Sequence, residues 1–293
     1  MLTELLKKVN FEDPEIETVD AIEVNNQFNW EVLEKPVFRP DGKIIPGYKT
    51  IERSDNGLIL NMCKDSYTPT TNEDFCNFVD RLSQTTGYQI DSFSEYQNGA
   101  KVLAFLKAPE TKINGWDFDN YFVVGNSHDS SKAFFVANTS KMIRCQNQFS
   151  LASNGLKAFH TSNNSKQLQY IERSISVLSA QQKMLNSNFE RLNNSPTSEK
   201  RAENFVRHIL ELPAELSWSE MAEKLSSRKI NQIIDLTECI EIEGNDLGET
   251  DFALFNGVTR WTTHNRKQKD KTFGNLFGAN AVFNQRALDF VLN

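Results

Sequence analysis

Apolar residues along the chain change their spacing near residue 145, from the alternation of strands to the three-and-four spacing of helices. In GYKTIERSDNGLILNMCKDSYTP the pair Asn56-Gly57 separates two β-rich runs, which predicts a hairpin with strands near 48–54 and 58–64. Phe75, Phe78, Val79 and Leu82 then fall on one helical face, after Thr71 as a cap and before Gly87 as a stop. AKVLAFLKA (100–108), YFVVGNS (121–127) and SKAFFVANT (131–139) read as further strands, the last two joined through His128-Asp129-Ser130. A curved antiparallel sheet with one short helix is the expected first half.

Beyond Cys145, QFSLASNGLKAF reads as a short helix. The run from Lys166 to Asn193 reads as one long helix, with Leu168, Ile171, Ile175, Leu178, Leu185, Phe189 and Leu192 in a stripe. Asn193 to Ser198 form a linker and cap before SEKRAENFVRHILEL, which stops ahead of Pro213. SWSEMAEKLSSRKINQII and TDFALFNGVTRWTTHNRK are the remaining helical candidates. The pattern predicts an α+β fold, strand-rich over 36–150 and helix-rich over 151–293, forming one domain behind an arm of residues 1–35.

Charge sets that arm apart. Residues 1–35 hold nine acids and three lysines, a net −6 of the chain's −7. Six acids and no base lie between Leu236 and Asp251, whereas six bases and two acids follow from Phe252 onward. One cationic face can therefore exist on a chain of pI near 5.3. With 39% hydrophobic residues and 21 Phe the chain can build a core. No run approaches the roughly 20 apolar residues of a membrane span, and the four cysteines are scattered. These features place the chain in a reducing cytoplasm, away from membranes.

Common catalytic motifs are missing from the sequence. GxxxxGK[ST], GxGxxG and GxSxG do not occur, so neither a nucleotide cofactor nor a nucleophile elbow is expected. His128, His160, His208 and His264 never fall in HxxxH or HExxH spacing, and no metal is expected. His128-Asp129 has the composition of a general-base dyad. Adjacent residues in a strand turn seldom face one another, and an aspartate that bonds its own turn is the reading preferred here.

The basic segment Arg260, Trp261, His264, Arg266, Lys267, Lys269 and Lys271 contains one acid, Asp270. Cations neutralise phosphates and an indole stacks any base, so the segment suits single-stranded DNA, with Lys141 and Arg144 as extensions. A solvated helix end that balances the preceding acids fits the same residues equally well.

Asn126-Ser127-His128-Asp129-Ser130-Ser131, followed by Arg144-Cys145-Gln146-Asn147, resembles the NSHDGS and RxxCxN core of the phage and plasmid-like family known as domain of unknown function 932. Arg53-Ser54-Asp55 with Gly57 and Tyr67 upstream is similar to that family's RSD and tyrosine segment. Asn256-Gly257-Val258-Thr259, His264 and Phe277-Gly278-Ala279 are similar to its closing elements. The resemblance spans roughly 48–290. Ser130 replaces the usual glycine, which implies that the turn does not need positive φ; Gly257 replaces the usual alanine. The resemblance implies carriage on a mobile element and a distant architectural likeness to single-strand annealing proteins, with no reaction attached.

The resulting expectation is a non-enzymatic protein of mobile-element DNA metabolism. It binds and anneals single-stranded DNA without ATP, as a homo-oligomer, through Arg144, Arg260, Trp261, Arg266, Lys267, Lys269 and Lys271. The alternative is an interaction factor that engages a host or element-encoded protein through its acidic arm. In either case Asn126, His128, Asp129, Arg144 and Asn147 should meet at the turn between two central strands, with Asp129 and Arg144 paired.

Overall fold

The computed structural model describes residues 28–113, 115–142, 148–150, 155–267, 274–276 and 278–293. It is α+β, with antiparallel sheets first and helices after. Instead of one sheet there are two. Strands β1 (Val32–Phe38), β2 (Ile44–Arg53) and β3 (Ile59–Lys64) form a three-stranded meander. Helix α1 (Asn72–Thr86) links it to a six-stranded sheet of β4 (Gln89–Tyr96), β5 (Lys101–Ile113), β6 (Trp116–Ser127), β7 (Phe134–Met142), β8 (Gln148–Ser150) and β9 (Leu156–Ala158). Both sheets are open.

Helix α1 begins and ends as its sequence requires. The Thr71 hydroxyl accepts from the Asp74 amide, Asp74 returns a capping-box contact, and Gly87 closes the helix at φ 73°. Its Phe75, Phe78, Val79 and Leu82 cover one face of the larger sheet, against Val102, Ala104, Leu106, Phe122, Val124, Phe134 and Val136. Leu103, Phe105, Val123, Phe135 and Ala137 occupy the opposite face and are also buried. A sheet buried on both sides reads as continuous apolar sequence, which AKVLAFLKA and YFVVGNS do.

The second half consists of α2 (Asn164–Arg173), α3 (Ile175–Asn193), α4 (Glu199–Leu210), α5 (Trp218–Lys224), α6 (Ser227–Leu247), α7 (Asp251–Arg260), a π-helical turn (Trp261–Asn265) and α8 (Ala279–Leu292). Leu185, Phe189, Phe205, Leu236, Phe252, Phe255 and Leu288 are among the residues of its core, which also takes Phe118 and Met142 from the far end of β6 and β7. Ser198, Ser217, Ser226 and Thr250 each cap a helix with a side-chain oxygen. Among the described residues no helix is long and apolar enough to cross a membrane.

Several expectations are corrected. The arm does not extend to residue 35, because Trp30 is 3% exposed in the core and β1 starts at Val32; residues 1–27 lie outside the described residues. QFSLASNGLKAF contributes strands β8 and β9, which pair in succession along the free edge of β7. That edge offers hydrogen bonds which an isolated short helix could not match. The long helix divides at Ser174, whose amide bonds the Tyr170 and Ile171 carbonyls. The β6–β7 connection runs from His128 to Ala133, longer than the three residues expected.

Candidate functional site at the β6–β7 turn and the helical surface

The motif residues of the first half do converge, around the β6–β7 turn. The Arg53 guanidinium lies 4.3 Å over the Trp30 ring. It donates from Nε and Nη2 to the two Asp55 carboxylate oxygens (2.9 and 2.8 Å), and from Nη1 to Glu95 (3.2 Å) and the Asn98 carbonyl (3.0 Å). Trp30 Nε1 donates to the other Glu95 oxygen at 2.8 Å. The Asp55 hydrogen bond, ahead of the opposing effect of burial, holds the Arg53 pKa above its ordinary value. Gln97, Asn98 and Gly99 all have positive φ. A Cβ at Gly99 would lie 2.6 Å from the Trp30 ring, so only glycine lets this turn close over the arginine.

His128 is fully buried beside that assembly, its ring edge-on to Trp30 at 5.5 Å. Its Nε2 meets Asn72 Oδ1 at 3.0 Å, while the Asn72 amide nitrogen donates to the Trp30 carbonyl at 2.9 Å. This assignment puts the imidazole proton on Nε2 and leaves Nδ1 a buried acceptor without a partner. Burial, assisted by the fields of His160 and Arg53, lowers the His128 pKa to about 3.

Asp129 does not bond His128. Its carboxylate accepts from Lys101 Nζ at 2.8 Å and from the Ser131 amide at 3.0 Å. Burial alone would raise its pKa, but those two hydrogen bonds outweigh burial and lower it. The arrangement needed for a histidine general base, with its carboxylate on the ring, is therefore not formed. The expected pairing of Asp129 with an arginine is also corrected, because the buried cation here is Lys101.

Asn126 Nδ2 donates to the Thr70 carbonyl (3.0 Å), and Asn164 Nδ2 from α2 donates to the Thr70 hydroxyl (2.7 Å). Tyr67 donates to the Ser127 carbonyl (3.2 Å) with its ring tilted against His160 at 5.1 Å. Burial raises the Tyr67 pKa and lowers that of His160. The cluster thus ties the three-stranded sheet, the 67–72 segment, α1, the β6–β7 turn and α2 together. Trp30, Asn72, Lys101 and Asn164 belong to it although the sequence does not single them out; a buried lysine and an asparagine at the first position of a helix have no signature of their own.

Ser130 sits at φ 59°. Positive φ at this turn is retained in spite of the serine, contrary to expectation. Its hydroxyl accepts from Asn61 Nδ2 at 2.6 Å, a contact that helps hold the strained residue. Arg144 and Asn147 lie outside the described residues. Met142, the last described residue before them, pairs with Phe118 at the end of β6 remote from the turn.

The basic segment is largely turned inward. Trp261 is 1% exposed, edge-on to Phe283 at 5.2 Å, so the stacking surface expected of it is already covered. Arg266 lies 4.7 Å over Trp261 and 4.5 Å over Phe283 and donates to Asn280 Oδ1 at 2.9 Å; burial lowers its pKa. Arg260 reaches Glu243 on α6 at 3.4 Å. Arg260 ends α7 and Arg266 follows the π-helical turn, so the two bracket it, and each has an internal partner. Lys267 is exposed, and Lys269 and Lys271 lie outside the described residues.

A different surface carries exposed cations. On the outer side of α2 and α3, Lys166, Arg173, Lys183 and Arg191 are exposed together with Tyr170, against one exposed acid, Glu190. Tyr170 is 66% exposed. Lys166, Arg173 and Lys183 enter no ion pair among the described residues; the neighbouring Glu172 is held by Arg81 at 2.7 Å. No group of three or more His, Cys, Asp or Glu side chains among the described residues could hold a metal.

A family model described as "Domain of unknown function (DUF932)" matches residues 59–286, well over half of the chain. The match covers the β6–β7 turn and the helices, and it starts after β1 and β2. No curated protein and no solved structure matches the chain.

Proposed function

Because the chain belongs to the family described as domain of unknown function DUF932, a description that names no activity, we propose a function from its surface: it binds single-stranded DNA without ATP or metal, along the outer face of α2 and α3. The supporting observation is that face itself, with four exposed cations, one exposed acid and an exposed tyrosine. At about 1.5 Å per residue the two helices are roughly 15 and 29 Å long. Phosphates would follow the cations and Tyr170 would stack a base regardless of its identity. Bases turned away from that face remain free to find complements, which supports annealing as the use of the binding and DNA metabolism of a mobile element as its setting.

Arg260, Trp261 and Arg266 have internal partners and add nothing to this reading, while Lys267 sits apart as an exposed lysine. Fluorescence anisotropy of a labelled oligonucleotide, at low and at physiological salt, tests the proposal. Binding at low salt is expected, weakened at least tenfold by the triple variant Lys166→Glu, Arg173→Glu, Lys183→Glu and unchanged by Lys267→Glu. No binding by the unsubstituted protein at low salt would sink the reading.

A second reading is a factor that engages a host or element-encoded protein through its acidic arm. The acidic residues before Phe28 that were its original motive lie outside the described residues.

A further inference from the structure

The stretch from Phe11 to Val24 holds six acids, Glu12, Asp13, Glu15, Glu17, Asp20 and Glu23, and no base. It precedes Phe28, the first described residue. The outer face of α2 and α3 is its chemical complement. Helical spacing puts Lys166, Tyr170 and Arg173 on one stripe of α2, and Val177, Met184 and Arg191 on one stripe of α3, with Lys183 next to Met184. Tyr170 and Met184 are each 66% exposed and Val177 is 47% exposed. Apolar side chains standing open among cations suit a segment whose aliphatic residues are interspersed with acids, as Ile16, Val19 and Ile22 are.

We infer that residues 12–23 dock on this face of their own chain, where their carboxylates take the place of phosphates and compete with a nucleic acid. The docking concerns the chain alone, and the competition rests on the DNA-binding reading above.

Reach and charge select this occupant. Phe28 packs on α1, its ring 6.0 Å from that of Phe75. Arg81, six residues further along α1, holds Glu172 of α2 at 2.7 Å. That path of ring contact, helix and ion pair spans at most about 35 Å. At about 3.3 Å per extended residue, Asp20 reaches about 26 Å from Phe28 and Glu12 about 53 Å, enough to meet α2 and to continue along α3. Belonging to the same chain, the acids are present at the face at an effective concentration on the order of millimolar. Cations on other surfaces are often paired already: Lys35 with Glu52, Lys107 with Glu110 and Asp119, Lys224 with Glu220, Arg286 with Glu211. Lys166, Arg173 and Lys183 have no such partner among the described residues, so opposite charge brought to them is not opposed by a resident acid.

Carbodiimide cross-linking of the full chain at low micromolar concentration, read by peptide mass spectrometry, tests the docking without DNA. Amide cross-links within one chain, from carboxylates of residues 12–23 to Lys166 and Lys183, should exceed those to the exposed Lys157, Lys200 and Lys267 at least fivefold. The double variant Arg173→Glu, Arg191→Glu keeps both lysines and should lower that yield at least fivefold. If it fails to fold, Arg173→Gln, Arg191→Gln replaces it with a smaller drop. Cross-links spread evenly over the exposed lysines, formed only between two copies, or undiminished in the folded variant overturn the inference. For the competition, the full chain carrying Glu12→Gln, Asp13→Asn, Glu15→Gln, Glu17→Gln, Asp20→Asn and Glu23→Gln should bind a labelled oligonucleotide at least tenfold more tightly than the parent. Equal affinities overturn the competition even where the cross-links form. No binding by either protein sinks the DNA reading and the competition with it, while the cross-links still decide the docking.

Discussion

Single residues at the β6–β7 turn decide stability in ways that substitutions can resolve. Ser130 holds a left-handed conformation and one exposed hydrogen bond to Asn61. Ser130→Ala keeps the strain and loses the bond, whereas Ser130→Gly loses the bond and relieves the strain. The glycine variant should therefore be the more stable of the two by about 1 kcal/mol in urea unfolding. Gly257 shows the opposite case, since a Cβ there would lie 2.4 Å from Ile240 Cγ1 and 2.7 Å from its Cα on α6. Gly257→Ala should cost about 1–3 kcal/mol, by the same measurement, even though alanine is the residue usual at that position in the resembling family.

His128 makes the fold acid-sensitive. A histidine kept neutral by burial, with a folded pKa near 3 against the ordinary 6.5, binds fewer protons folded than unfolded between those limits. Its contribution is complete above pH 6.5 and is lost as pH falls, at about 1.4 kcal/mol per unit. Unfolding free energy should drop by about 2 kcal/mol between pH 6.5 and 5 from this group, and His128→Gln should flatten the profile while lowering stability at neutral pH. Equal slopes for the two proteins would remove His128 as the cause.

At the level of elements, what the sequence revealed and what it hid have physical causes. Helix α1 is legible because its stripe, its capping box and its glycine stop agree. Strands β5, β6 and β7 are legible because burial on both faces makes their sequences continuously apolar. Strand β4, QIDSFSEY, is half-covered and mixed in composition, and α8 follows a segment with no clear stop or start, so neither stands out. Strand β9 is hidden for another reason: a short strand is created by its neighbour. Gly155 lies so close to β7 that a Cβ would be 2.6 Å from the Val136 carbonyl oxygen. Gly155→Val should push β9 off that edge, and hydrogen exchange should then rise at the amides of 156–158 while α1 stays protected.

The motif residues Asn126, His128 and Asp129 were legible as a group, and Asp129 as an aspartate that bonds its own turn, because its carboxylate accepts from the Ser131 amide two residues on. Their partners were not, since Lys101 lies 28 residues from Asp129 and Asn72 lies 56 residues from His128. The basic run at 260–271 misled for a related reason. Sequence spacing reports how charges are ordered along a helix, but not that Glu243 and Asn280 lie within reach of Arg260 and Arg266.

Across the whole molecule, the exposed cations of α2 and α3 are the charges whose contribution to DNA binding a salt titration reads. Four phosphate contacts on a single strand give a slope of log affinity against log salt of about −3, at about −0.7 per contact. The triple charge reversal should bring that slope close to −1 or abolish binding.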